Sequence, residues 1–159
     1  MRAERGFTLV ELLVVVFIIG ITASIALLSF GDFGASRKTK ISAEQFANYI
    51  KMIQHNAILE MNTMGIRLVK EGYEIYRLEN DSTWLPMPKN GPIHAQNFPK
   101  NVIVNLYSPQ KTIARPDIII DSSGDISEFK MDFGTSSSLQ QVSLSSLHNG
   151  ELIIKDYLQ

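Results

Sequence analysis

Glu11 is the only ionisable side chain between Gly6 and Gly31, in the run GFTLVELLVVVFIIGITASIALLSFG. A carboxylate set in hydrocarbon costs on the order of 2.5–3.5 kcal/mol at mid-membrane, and less near an edge. That cost falls if a cation meets the carboxylate, or if the side chain reaches out to lipid headgroups. The chemistry on offer is therefore charge pairing. Candidates for catalysis are sparse. His55, His94 and His148 lie far apart without paired or HExxH spacing, and each reads as a surface or turn residue. The chain has no G-x-S-x-G elbow, no P-loop and no glycine-rich dinucleotide turn. Asp121-Ser122-Ser123-Gly124-Asp125 has the start of a calcium loop but lacks the third oxygen ligand and the closing glutamate, so it reads as a turn. The serines from Ser136 to Ser146 suit turns and strand edges. Cysteine is absent, which excludes disulfides, thiolate chemistry and zinc fingers. The expectation is no enzyme: no catalytic residue, no metal and no cofactor.

The elements around Glu11 explain what it must be positioned against. Leu12 to Gly31 carries no charge and no proline over 20 residues. As a helix it would span roughly 30 Å, the thickness of a bilayer's hydrocarbon core. A core helix of a soluble protein would show a polar face, and this run has none. A secretory signal peptide is the other reading, with Arg2 and Arg5 as its positive end and Ser24-Ile25-Ala26 as its cleavage site. The run is longer than the usual apolar region of such a peptide, and Glu11 interrupts its start. Arg2 and Arg5 before the run favour a cytoplasmic amino terminus, while Arg37, Lys38 and Lys40 after it favour the reverse, so counting charges leaves orientation open.

Beyond the run, Asp32 to Lys40 forms a polar junction with Gly31 and Gly34 near it. Helical periodicity then resumes: Ala43, Phe46, Ile50, Ile53, Ala57, Met61 and Met64 recur at steps of three and four. Such a stripe either packs on the chain's own sheet or serves oligomerisation. After Gly65 the pattern becomes strands and turns. Gly65–Lys70 and Tyr73–Glu79 flank Glu71-Gly72 as a hairpin, and Val102, Val104 and Leu106 alternate. Phe129, Met131 and Phe133 alternate with Glu128, Lys130 and Asp132, predicting a sheet wet on one side. Asn149-Gly150 marks a last hairpin between Leu139–Leu147 and Glu151–Leu158. A β-sandwich-like domain of short antiparallel strands follows from this spacing. The net charge of −1, with dispersed Lys and Arg, makes nucleic acid an unsuited partner.

Gly6-Phe7-Thr8-Leu9-Val10-Glu11-Leu12-Leu13 resembles the processing motif of type IV pilins and type II secretion pseudopilins. The resemblance implies cleavage by a prepilin peptidase between Gly6 and Phe7, N-methylation of Phe7, and a role for Glu11 in assembly and register. The amine exposed on Phe7 would be the cation that the carboxylate needs, within one helix or on a neighbouring subunit. It also implies an amino terminus in the cytoplasm, a single pass through the cell inner membrane and a periplasmic carboxyl-terminal domain. The implied fold is α+β and pilin-like: a long amino-terminal helix, half membrane stem and half amphipathic, packed on an antiparallel β domain. The divisions expected are a leader at 1–6, an assembly helix at 7–31, its amphipathic continuation at 32–64 and a β-rich domain at 65–159.

Ala57-Ile58-Leu59, Gly72-Tyr73 and a tryptophan-proline turn at Trp84-Leu85-Pro86 more loosely resemble the H-type minor pseudopilins of type II secretion. That narrower resemblance implies a structural subunit of the pseudopilus, which helps drive folded proteins across the outer membrane. Its partners would be the other minor pseudopilins of the tip complex, the major pseudopilin, the prepilin peptidase and an inner-membrane assembly platform. The alternative is a type IV minor pilin engaged in pilus assembly or DNA uptake.

Overall fold

The helix α1 runs from Leu9 to Leu59 in the computed structural model, which describes residues 8–79, 83–109, 114–147 and 149–157, with the side chains of 26–33 and 35 outside that set. Thr8 caps its start. The Leu12 N–H makes the first intrahelical bond, to the Thr8 carbonyl at 3.2 Å, and the Glu11 N–H donates to Thr8 Oγ1 at 3.3 Å, so one donor that a helix start would orphan is satisfied by the cap.

The other end differs from expectation. Met61 and Met64 do not continue the stripe, because the helix stops at Leu59. The Asn62 N–H donates to the Ala57 carbonyl at 3.0 Å and the Met61 N–H to the Ile58 carbonyl at 3.2 Å, a Schellman cap. Met61 occupies its left-handed position, φ 50°, and points into solvent at 87% exposure.

The chain divides into two compact units, Met1–Gly34 and Ala35–Gln159. In the first, every large apolar side chain described from Leu9 to Ile25 is exposed. Among the described residues no helix counts as long and apolar enough to cross a membrane. The expected span, Leu12 to Gly31, enters residues 26–33, whose side chains lie outside the described ones; its described part ends at Ile25.

The second unit holds the helical stripe and the nine strands found among the described residues. One antiparallel sheet contains β3 (Thr83–Pro86), β2 (Gly72–Glu79), β1 (Met64–Val69) and β6 (Ile118–Ile120) in that order, with β4 (Gln96–Asn97) also on β2. The other orders β5 (Ile103–Tyr107), β7 (Phe129–Gly134), β8 (Val142–Leu147) and β9 (Glu151–Asp156), again antiparallel. Ala43, Phe46, Ile50, Ile53 and Ala57 of α1 lie in one core with Ile66, Ile75, Met131, Phe133 and Leu144 of the sheets. Phe46 joins them: its ring lies 4.8 Å from Tyr73 on β2 and 6.2 Å from Phe133 on β7, centroid to centroid.

Several local readings shift by a residue or two, for identifiable reasons. The first hairpin turns at Lys70-Glu71, since Val69 pairs with Gly72. Gly72 is instead a strand residue pressed against β4, where an added Cβ would lie 2.0 Å from the Gln96 carbonyl oxygen. Trp84-Leu85-Pro86 forms the edge strand β3, where proline is tolerated, and does not form a turn. Leu147 pairs with Glu151, so the last connection holds three residues; Asn149 and Gly150 are described, with Gly150 at φ 75°. Asp132 was expected on the wet face of its sheet but is buried. The segment after Gly134 folds back so closely that a Cβ there would meet Leu139 backbone at 2.3 Å. Under this cover Asp132 accepts a hydrogen bond from the Ser143 hydroxyl at 2.6 Å.

Candidate functional site: the amino-terminal segment

The described part of α1 up to Ile25 exposes an apolar surface. From Leu9 (82% exposed) to Ile25 (64%) its large apolar side chains point outward on every side of the helix. The two hydroxyls between Leu9 and Ile25 do not spoil this surface, because the helix itself satisfies them. Thr22 Oγ1 donates to the carbonyls of Ile18 or Ile19, each at 3.0 Å, and Ser24 Oγ to that of Gly20 at 2.8 Å. Such back-bonding is how a hydroxyl is accommodated in hydrocarbon.

Glu11 lies in the first turn, where its negative charge meets the positive end of the helix dipole. Thr8-Leu9-Val10-Glu11 is thus a helix start of the capping-box kind, with the Thr8 half of the box formed. The sequence carried that signal in plain view: threonine, two residues, glutamate, then an apolar run. Reading Glu11 only as a buried charge overlooks Thr8. Gly6 and Phe7, the expected cleavage and methylation positions, lie outside the described residues.

Among the described residues the histidines and carboxylates lie apart. His55 is exposed on α1, with Nδ1 2.8 Å from the Lys51 carbonyl oxygen. His94 acts through its backbone: its N–H donates to Tyr49 Oη at 2.8 Å, and its carbonyl accepts from the same hydroxyl at 2.6 Å. That pairing ties the loop after β3 to α1, and only the fold reveals it. His148 lies outside the described residues. The Asp121–Asp125 segment closes as a tight turn: the Asp121 N–H donates to the Asp125 carbonyl at 2.9 Å, with Gly124 at φ 91°. Among the described residues no group of three His, Cys, Asp or Glu side chains is placed to hold a metal. A groove of about 350 Å³ beside the first hairpin is lined by Val69, Lys70, Glu71, Phe98 and Lys100, without a nucleophile–base pair among them.

Residues 1–27 match the family model described as the prokaryotic N-terminal methylation motif. Type II secretion system protein H of Pseudomonas aeruginosa is 31% identical over 143 residues, spanning 82% of this chain and 83% of its own. The crystal structure of the minor pseudopilin EpsH from the type II secretion system of Vibrio cholerae superposes with a TM-score of 0.65 at 15% identity, over 76% of this chain and 97% of that one. The solution structure of Escherichia coli GspH gives 0.64 at 16% identity, over 77% and 90%. At those identities the two structures speak for the fold, which is the expected pilin-like α+β arrangement. The identity with the Pseudomonas protein reaches through both units, beyond the amino-terminal motif that pilins share, and on that ground the chain belongs to the type II secretion system protein H family.

Proposed function

We propose that this chain is a minor pseudopilin, a non-enzymatic structural subunit of the type II secretion pseudopilus that helps move folded proteins across the outer membrane. A prepilin peptidase cuts between Gly6 and Phe7 and methylates the new amine of Phe7. The amino terminus faces the cytoplasm, residues 7–31 lie in the inner membrane and then among the stems of the fibre, residues 32–59 continue the stem to the end of α1, and the β-rich domain from Met64 onward lies in the periplasm. Within the fibre the subunit joins the tip complex of minor pseudopilins to the major one, after extraction by the inner-membrane assembly platform.

One observation carries this reading. Leu9 to Ile25 turns its apolar side chains outward around the whole helix, behind a capped start that holds Glu11 in the first turn. A surface of that kind is covered by lipid or by other helices. A terminal ammonium on Phe7, its own or a neighbour's, offsets the cost of the Glu11 carboxylate, and a wrong register leaves that charge unpaired.

Co-expression of the full chain with a prepilin peptidase, followed by intact-mass measurement of the membrane-extracted protein, tests the processing. The mass should be that of a chain beginning at monomethylated Phe7. Retention of Met1 beside an active peptidase, or a chain beginning at Leu27, contradicts the proposal.

A further inference from the structure

Strand β9 forms an open edge of its sheet, paired with β8 on one side only. The Tyr157 N–H donates to the Gln141 carbonyl at 2.8 Å, and this pair continues the β8–β9 register, in which Val142 faces Asp156. Bonded pairs in an antiparallel ladder recur at every second residue. Lys155, Ile153 and Glu151 therefore bond to β8, while the peptide groups of Leu152 and Ile154 turn away from it. Among the described residues no partner meets those peptide groups. Proteins usually guard such an edge with proline, a bulge or charge, and β9 carries neither proline nor bulge. Its charges are Glu151, Lys155 and Asp156, around the apolar centre Leu152-Ile153-Ile154.

We propose that β9 is a self-pairing edge, whose occupant is the β9 of a second copy of this chain, antiparallel about Ile153. In that register Leu152 and Ile154 of one copy exchange peptide hydrogen bonds with Ile154 and Leu152 of the other. Glu151 stands directly opposite Lys155 at both ends of the pairing, and Ile153 meets its own copy on the axis. Side chains of such non-bonded pairs approach most closely, so opposite charges there are favoured and like charges penalised. The sequence Glu-Leu-Ile-Ile-Lys thus reads as complementary to itself. Parallel pairing in register sets Glu151 beside Glu151 and Lys155 beside Lys155, and a two-residue slip sets an isoleucine against a charge. Ile154, which is 40% exposed, would gain cover from Leu152 of the second copy. A six-residue edge is small against the area of a standard stable interface, so the contact is weak and favoured at high local concentration. Pairing through β9 requires no cleavage at Gly6.

The chain has no cysteine, so Ile153→Cys in the full chain supplies a single thiol at the axis. The reach needed for a disulfide matches a non-bonded antiparallel pair. Mild oxidation of membranes containing this variant should give a disulfide-linked homodimer. Adding Glu151→Lys, or Lys155→Glu, should lower the dimer yield about tenfold, since two favourable cross-strand pairs become repulsive. The double exchange, Glu151→Lys with Lys155→Glu, should restore it. Thermal unfolding of each variant separates loss of pairing from loss of fold. Equal dimer yields in all variants, no dimer from a folded Ile153→Cys chain, or linkage to a different polypeptide would each overturn the proposal.

Discussion

The two halves of α1 are both rich in apolar residues, yet they solve the problem of water in opposite ways. From Ala43 to Ala57 a stripe of Ala, Phe and Ile is buried against two sheets of the same chain, with Phe46 only 1% exposed. From Leu9 to Ile25 apolar residues surround the helix, and Phe17 is 66% exposed. A stripe can be covered by one neighbouring layer, whereas a helix apolar all round needs a surrounding medium. On the function proposed above, the first half of α1 takes its cover from lipid or from other stems, whereas the second is covered by its own fold.

That contrast can be pressed hardest with two matched truncations. Phe46→Ala removes the ring that links Tyr73 and Phe133, and should destabilise the second unit by about 3–5 kcal/mol, read as a fall in its unfolding midpoint. Phe17→Ala removes the same group from the first half and should leave that midpoint unchanged. A comparable fall in both would erase the distinction.

Alkaline unfolding sharpens it on the buried side. Burial, and secondarily the neighbouring Tyr49, raises the Tyr73 hydroxyl well above the ordinary tyrosine range, and burial also raises Tyr49. The folded chain then keeps protons that the unfolded chain loses, so stability is whole below the unfolded tyrosine value, near 10, and declines as pH rises beyond it. Denaturant titrations from pH 9 to 11 should show that decline. Tyr73→Phe should flatten it, and an unaltered slope would contradict the cause given.

A smaller effect is expected where the buried stripe ends. Met61 holds a left-handed conformation that glycine adopts freely. Met61→Gly should raise stability by about 0.5–1 kcal/mol, because little packing is lost from a side chain so exposed.

The sequence shows the stripe because periodicity is local: Ala43, Phe46, Ile50, Ile53 and Ala57 all fall where a 3.6-residue repeat puts them. It hides the end of the stripe because Met61 and Met64 keep the spacing while the backbone leaves the helix through a cap that requires no glycine here. Strand alternation likewise finds Phe129, Met131 and Phe133, but not the burial of Asp132, which depends on a loop folding back over Gly134. Of the candidate site, the carboxylate and its apolar run are legible from the order of residues along the chain, which overall composition conceals. Thr8 as the cap was legible too, from the spacing to Glu11, once the start of the helix is asked to satisfy its own donors.

The role of the Glu11 carboxylate is decided by how the Glu11→Ala chain assembles. The quantity to measure is the fraction of processed full-length protein recovered in sheared pseudopili, beside the unfolding midpoint of its second unit. Cleavage should be normal and the midpoint unchanged, with recovery in the fibre reduced at least about tenfold, the cost of one misplaced charge pair in a low-dielectric setting. Recovery equal to that of the unaltered chain would contradict that role.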